Sequence, residues 1–248
     1  MYQNTITFQL ATHYLPKIAL RLESLCQTIK QACEESHPVI HYSALKNTIE
    51  IIKLIEKPEL KSRFLKELMR IEHALTKSNT KISAKLYEEL HAQIQTLTQT
   101  VGRFGGAIHH SSFLQSVRLS SAPQHAECEM YSPQLLLWLE SGTELRKRDL
   151  NNWLDNLDTL YSTVALYLSL LRDTAQFNQI DMPNGFYQRS LPPKNICHLI
   201  LLRIDKSFGV APRMQLGHYG LSLRLCEIST MREVRETNAK LDLAICQL

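Results

Sequence analysis

The sequence predicts an α+β protein, a helical bundle domain joined to a discontinuous antiparallel β-sheet domain, and three observations carry that expectation. Apolar residues recur at spacings of three and four over most of the first 176 positions. After the Pro183-Asn184-Gly185 turn signal they alternate with period two. A similar alternation opens the chain at "TITFQL".

The elements follow in order. Ile6, Phe8 and Leu10 share one face of a first strand over 5–10. From His13 to about Cys33, Leu15, Ile18, Leu22, Leu25 and Ile29 line an amphipathic helix, which "EESHPVIH" breaks at Pro38. A second helix covers 43–55 with Leu45, Ile49, Ile52 and Ile55 on its apolar side. The third begins at Pro58, a residue suited to the first helical position, and carries Leu60, Phe64, Leu68, Ile71 and Leu75. A fourth runs over 83–101 and stops near "GRFGG". The short loops between these helices predict antiparallel neighbours in a bundle.

The pattern then changes. "FLQSVRLSSAPQHAECEMYS" (113–132) holds two short β-permissive runs about "SSAPQH" and predicts a hairpin. Ser132 before Pro133 starts a brief helix, "PQLLLWLES", which ends at Gly142. The longest helix is expected over 143–176, with Leu150, Trp153, Leu157, Leu160, Val164, Leu168 and Leu171 as its main stripe. After the Asn-Gly turn, "GFYQRS" is extended, and strands follow over 197–205, 221–228 and 240–247. Their single apolar faces suit an antiparallel sheet. The helical domain is thus expected at 11–112 and 132–180, and the β-domain at 1–10, 113–131 and 181–248.

Composition narrows the function. With 248 residues, 44% apolar and 21% charged, the chain has the makeup of a globular protein with a sizeable core. Its longest nearly apolar run, 164–171, is far short of the roughly 20 residues that cross a bilayer. The N-terminus lacks the basic and apolar regions of a secretory signal, so a cytoplasmic protein is expected. Cys26, Cys33, Cys128, Cys197, Cys226 and Cys246 form no CxxC pair and read as buried, reduced thiols. Residues 1–181 hold 19 basic and 19 acidic side chains, whereas 182–248 hold 9 and 5. The whole formal excess of +4 therefore lies after the Asn-Gly junction. Such a surface draws anionic partners.

The sequence contains no phosphate loop, dinucleotide fingerprint, hydrolase elbow or zincin motif. "HAEC" at 125–128 has the His-x-Glu of zinc deaminases without the downstream Pro-Cys-x-x-Cys. The adjacent His109 and His110 do not point one way on either a strand or a helix. No catalytic constellation, metal or cofactor is expected.

Several short words, taken together and in order, resemble the ZapD family of bacterial cell-division proteins. They are "RLESL" (21–25), "LIEKPELKSRFLKEL" (54–68), "FLQSVR" (113–118), "CEM" with "SPQLLLWL" (128–139), "NGFYQ" (184–188) and "LSLRL" (221–225). The resemblance implies a dimer with a central β-domain and flanking helical domains. It also implies binding to the C-terminal tail of the tubulin-like protein FtsZ, with cross-linking of FtsZ filaments at the mid-cell division site. It places the family's basic positions at Lys57, Arg224 and Lys240. This chain departs from the family where a Gly-Gly turn becomes "SAPQ", where an arginine falls at His198, and where a basic segment becomes "LGHYGL".

The basic C-terminal segment adds Arg203 and Arg213 as candidate peptide contacts, with Tyr187, Phe186 and Tyr219 as apolar ones. Each aromatic competes with a place in the sheet core, Phe186 especially. Arg224 suits either a ligand contact or a cross-strand pair. Arg203 shares a face with Leu199 and Leu201 and suits packing or binding. The competing function is a basic β-sheet nucleic-acid-binding module, for which the strands lack interleaved stacking aromatics. Neither membrane nor nucleic acid is an expected partner.

Overall fold

A computed structural model describes residues 4–77, 83–120, 133–191, 197–218, 220–235 and 238–247. The elements in chain order are β1 (Thr5–Ala11), α1 (Tyr14–Glu34), α2 (Pro38–Ile55), α3 (Glu59–Lys77), α4 (Ala84–Gln99), α5 (Ser112–Ser120), α6 (Pro133–Glu140), α7 (Thr143–Asn156) and α8 (Asp158–Asp173). The remaining strands are β2 (Asn178–Met182), β3 (Phe186–Arg189), β4 (Cys197–Asp205), β5 (Val210–Gly217), β6 (Gly220–Glu227) and β7 (Ala239–Gln247). The chain divides into two compact units, Ala19–Tyr167 and the combination of Met1–Ile18 with Leu168–Leu248.

Local chemistry explains where the helices differ from expectation. Pro38 begins α2 instead of lying in a break, because His37 is extended and its Nδ1 accepts the Val39 N–H at 3.2 Å. The hairpin expected over 113–132 does not form in its first part, since Ser112–Ser120 is helix. Ser111 Oγ accepts the Leu114 N–H at 3.4 Å, and Leu114 and Val117, three apart, are both buried. Packing overrides β propensity there. Residues 121–132, including "HAEC" and Cys128, lie outside the described residues. The helix expected over 143–176 is two helices. At Leu157, φ −101° and ψ 4°, the N–H turns back to the Leu154 carbonyl at 2.9 Å. The Asn/Asp-rich run around it, 151–158, favours such local turns over continued helix.

Within the helical unit, Leu22, Ile29, Leu45, Ile52, Phe64, Leu68 and Ile71 are all buried to within 1%. Phe64 meets the edges of Phe104 and Tyr167 at 6.3 and 5.7 Å. A second aromatic group joins α5, α6 and α7, with Phe113, Trp138 and Trp153 centroids 5.8 to 5.9 Å apart. Arg146, 4% exposed, closes the neighbouring helix ends. It donates to the Leu139 carbonyl at 2.9 Å, the Ser36 carbonyl at 3.2 Å and the Ser141 carbonyl. Its Nε donates to His41 Nδ1 at 3.0 Å, so the other His41 nitrogen carries the proton shared with the Glu35 carbonyl. A buried guanidinium thus caps carbonyls that the ends of α6 and α1 leave open.

The β unit contains two antiparallel sheets, one ordered β1-β4-β7-β2 and the other β3-β6-β5. Ile180, Met182, Ile200, Leu202, Ile204, Leu241 and Leu243 of the first meet Leu221, Leu223 and Leu225 of the second in one apolar core. Period-two alternation aims these residues inward, and it aims Arg224, Arg203 and Lys240 away from that core. Two strands were not anticipated from the sequence. β2 is only five residues long and is separated from the end of α8 by four residues. β5 contains Pro212, which an edge strand tolerates.

Two outcomes test this packing. Arg146→Met is expected to lower unfolding free energy by about 2–3 kcal/mol, because several buried carbonyls lose their donor; urea titration showing a loss under about 0.5 kcal/mol would contradict it. Burial pushes the Cys26 and Cys197 thiols up to about 11 and the Cys246 thiol up to about 12. Iodoacetamide at pH 8 should therefore label these three slowly in the folded protein and rapidly in urea, and equal rates would count against their burial.

Candidate functional site

The junction "PNGF" builds the site. Asn184 and Gly185 are consecutive left-handed residues, φ 54° and 67°, which turn the chain from β2 into β3. Asparagine adopts that conformation more readily than most residues, but at 185 the demand is stricter. A Cβ on Gly185 would stand 2.3 Å from the Val234 carbonyl oxygen. That carbonyl belongs to a segment folded back on the end of β6. Its bonds run from Val234 N–H to the Leu225 carbonyl at 2.9 Å, and from Glu227 N–H to the Arg232 carbonyl at 3.0 Å.

Register then decides which side chains meet. Glu233 bridges Cys226, and Phe186 pairs with Arg224, so the returning segment and β3 lie end to end along one side of β6. On the other side Arg213 of β5 pairs with Arg224. Directly opposed residues share a face. The outer face of the second sheet therefore gathers Phe186, Arg224, Arg213 and Glu233. Arg224 Nη1 donates to Glu233 Oε2 at 2.9 Å, and the Arg224 guanidinium lies 4.7 Å from the Phe186 ring centre. Arg213 and Arg235 stand 4.0 and 3.9 Å from the same carboxylate. Arg213 also donates to the Met231 carbonyl at 3.1 Å. Where the two segments meet, a cleft of about 420 Å³ is lined by Asn184, Gly185 and Phe186 on one side and by Arg224, Glu233, Val234 and Arg235 on the other.

Among the described residues, three arginines sharing one carboxylate leave two positive charges in excess at this cleft. Chemically it can hold an anion, and Phe186 offers an apolar wall beside it. Arg224 lines the cleft and Arg213 reaches it through Glu233. Tyr187 occupies the opposite face of β3, half-buried against the core between the sheets. Lys240 stands on β7 opposite Asp181, 3.9 Å away, with both side chains exposed. Arg203 covers the Phe177 ring at 3.5 Å. Lys57 belongs to the helical unit, exposed in the turn between α2 and α3. Beside it Arg118 makes a two-pronged ion pair with Glu56, and that hydrogen bonding holds the Glu56 carboxyl below its ordinary range.

Glu233 and Arg235 were not among the expected contacts, because nothing in "TMREVR" signals that it folds back beside β6. Phe186, expected to compete with core packing, shares the arginine face. Tyr219 lies outside the described residues. His198, where a family arginine falls, is buried at 2% exposure, its Nδ1 3.0 Å from His13 Nε2. Among the described residues no group of three or more His, Cys, Asp or Glu could hold a metal ion. No helix among them is long and apolar enough to cross a membrane.

Comparison with known proteins gives a coherent picture. A family model described as ZapD, cell division protein, matches residues 20–224. The chain is 26% identical to the cell division protein ZapD of Coxiella burnetii (strain RSA 331 / Henzerling II), a match covering 90% of this chain and 89% of that protein. It is 30% identical to that of Ralstonia nicotianae, covering 84% and 85%, and 26% identical to that of Nitrosomonas europaea, covering 99% and 98%.

The cleft depends on the close approach at Gly185. Gly185→Ala is expected to destabilise the protein by at least about 2 kcal/mol, combining left-handed strain with the clash. Gly217→Ala, which meets nothing within 4 Å, should change stability by less than about 0.5 kcal/mol. Equal melting temperatures for the two variants would refute the assignment.

Proposed function

The chain belongs to the ZapD family of cell division proteins, and from that premise we propose that it is an adaptor that binds the acidic C-terminal tail of FtsZ and cross-links FtsZ filaments. The observation that carries this reading is the cleft in which Arg213, Arg224 and Arg235 share Glu233 beside Phe186. An acidic, partly apolar peptide needs cations for steering and an apolar wall for anchoring. Arg224 is the central proposed contact. Arg213, Lys57, Lys240 and Arg203 are the further proposed cations, and Tyr187 backs the strand that carries Phe186. The proposed setting is the cytoplasm at mid-cell.

Cross-linking requires two tail sites, so the proposed unit is a homodimer formed through the β unit. Among the described residues both sheets end in strands paired on one side only, which supports that arrangement, since such edges invite pairing. Binding rather than catalysis is the proposed activity, and it calls for no cofactor. A nucleic acid would be drawn by the same arginines, but Phe186 is the one aromatic on their face among the described residues of β3, β5 and β6.

Fluorescence anisotropy with a labelled FtsZ tail peptide and a labelled oligonucleotide tests the reading. Arg224→Glu and Lys240→Glu should weaken tail binding while shifting melting temperature little, because exposed charges govern encounter more than stability. Raising salt from 0.1 M to 1 M should also weaken it, as the Debye length falls from about 10 Å to about 3 Å. Absence of tail binding at low salt, or oligonucleotide binding that the tail cannot compete away, would overturn the proposal. Sedimentation of FtsZ filaments should show bundling by the dimer, and bundling by a protein that stays monomeric would refute the cross-linking geometry.

A further inference from the structure

The backbone on both sides of Glu233 is pinned to β6, through the bridge to Cys226 and the bond from Val234 N–H to the Leu225 carbonyl. The fold itself therefore delivers this carboxylate into the cleft. Its Oε2 is within hydrogen-bond distance of Arg224 at 2.9 Å, but Arg235 and Arg213 stand at 3.9 and 4.0 Å, charge contacts without a hydrogen bond. One arginine is satisfied by it and two are only partly neutralised.

We propose that Glu233 is an internal competitor for the acidic ligand and sets the site's selectivity, so that peptides with two or more neighbouring carboxylates displace it and peptides with one do not. The inference rests on the reading that this cleft takes an acidic tail. A tethered carboxylate competes at an effective concentration on the order of millimolar. A lone ligand carboxylate exchanges one ion pair with Arg224 for an equal one and gains nothing. A second carboxylate adds a hydrogen-bonded pair with Arg213 or Arg235, where Glu233 makes only a charge contact at 4.0 or 3.9 Å. Selectivity arises because the less acidic ligand meets an occupied arginine.

The test is anisotropy at low salt with three labelled probes: the FtsZ tail peptide, hexaglutamate, and a neutral hexapeptide carrying one glutamate. Glu233→Gln should tighten tail and hexaglutamate binding by about five-fold, the scale of an exposed ion pair, and should bind the single-glutamate peptide where the wild type does not. Glu233→Asp, which keeps the charge but is one methylene short of Arg224, should fall between the two. With Arg224→Gln also present, the gain from Glu233→Gln should shrink below about two-fold, since both act through one contact. Weakened or unchanged hexaglutamate binding by Glu233→Gln, with its melting temperature near wild type, would show that Glu233 merely orders the arginines and would overturn the proposal. If the tail binds neither protein but hexaglutamate still gains, the tail reading falls and the internal competitor stands. If no probe binds either protein, both fall.

Discussion

The β unit is organised by one close approach, the Val234 carbonyl standing where a side chain at position 185 would otherwise be. Because residue 185 has no Cβ, the segment returning from β6 comes to rest against the very start of β3. Both then lie along the same side of β6, one after the other. Any bulk at 185 would push them apart, and Glu233 would no longer stand in line with Phe186. The turn at Asn184 and Gly185 is therefore more than a connection between two sheets. It sets the spacing of the cleft.

That spacing produces an electrostatic imbalance on the outer face of the second sheet. Arg213 and Arg224 are directly opposed, and like charges in that relation repel. Glu233 relieves the repulsion without cancelling it, since among the described residues one negative charge faces three arginines. The arrangement contributes little to folding, because these groups are partly or largely exposed to water.

The helical unit solves a different problem. Its helix ends converge at Arg146, a charge that is tolerated in the interior because each of its donors meets an acceptor. The stack of Phe113, Trp138 and Trp153 then locks the three shorter helices to one another. On this unit's surface, Lys57 follows Glu56, whose pairing with Arg118 leaves the neighbouring lysine as the exposed cation of the turn.

The sequence by itself determined the class of fold, because periodicity is a local property. The stripe through Leu60, Phe64, Leu68 and Ile71 can bury only as a helix, and the alternation through Leu221, Leu223 and Leu225 only as a strand. It also determined that Arg224 leaves the core and that the positive excess lies after the Asn-Gly turn. What only the tertiary structure decided was anything that depended on a neighbour. Phe113 to Ser120 permits strand or helix, and the buried contacts of Leu114 and Val117 chose helix. The 143–173 stretch has an unbroken apolar stripe, yet it breaks at Leu157. Phe186 and Tyr187 are adjacent aromatics whose roles follow from which face of β3 meets the other sheet. Glu233, nine residues from Arg224 in sequence, reaches it because the chain reverses after Glu227. Register and chain reversal are relations between segments, and hydrophobic spacing within one segment carries no record of them.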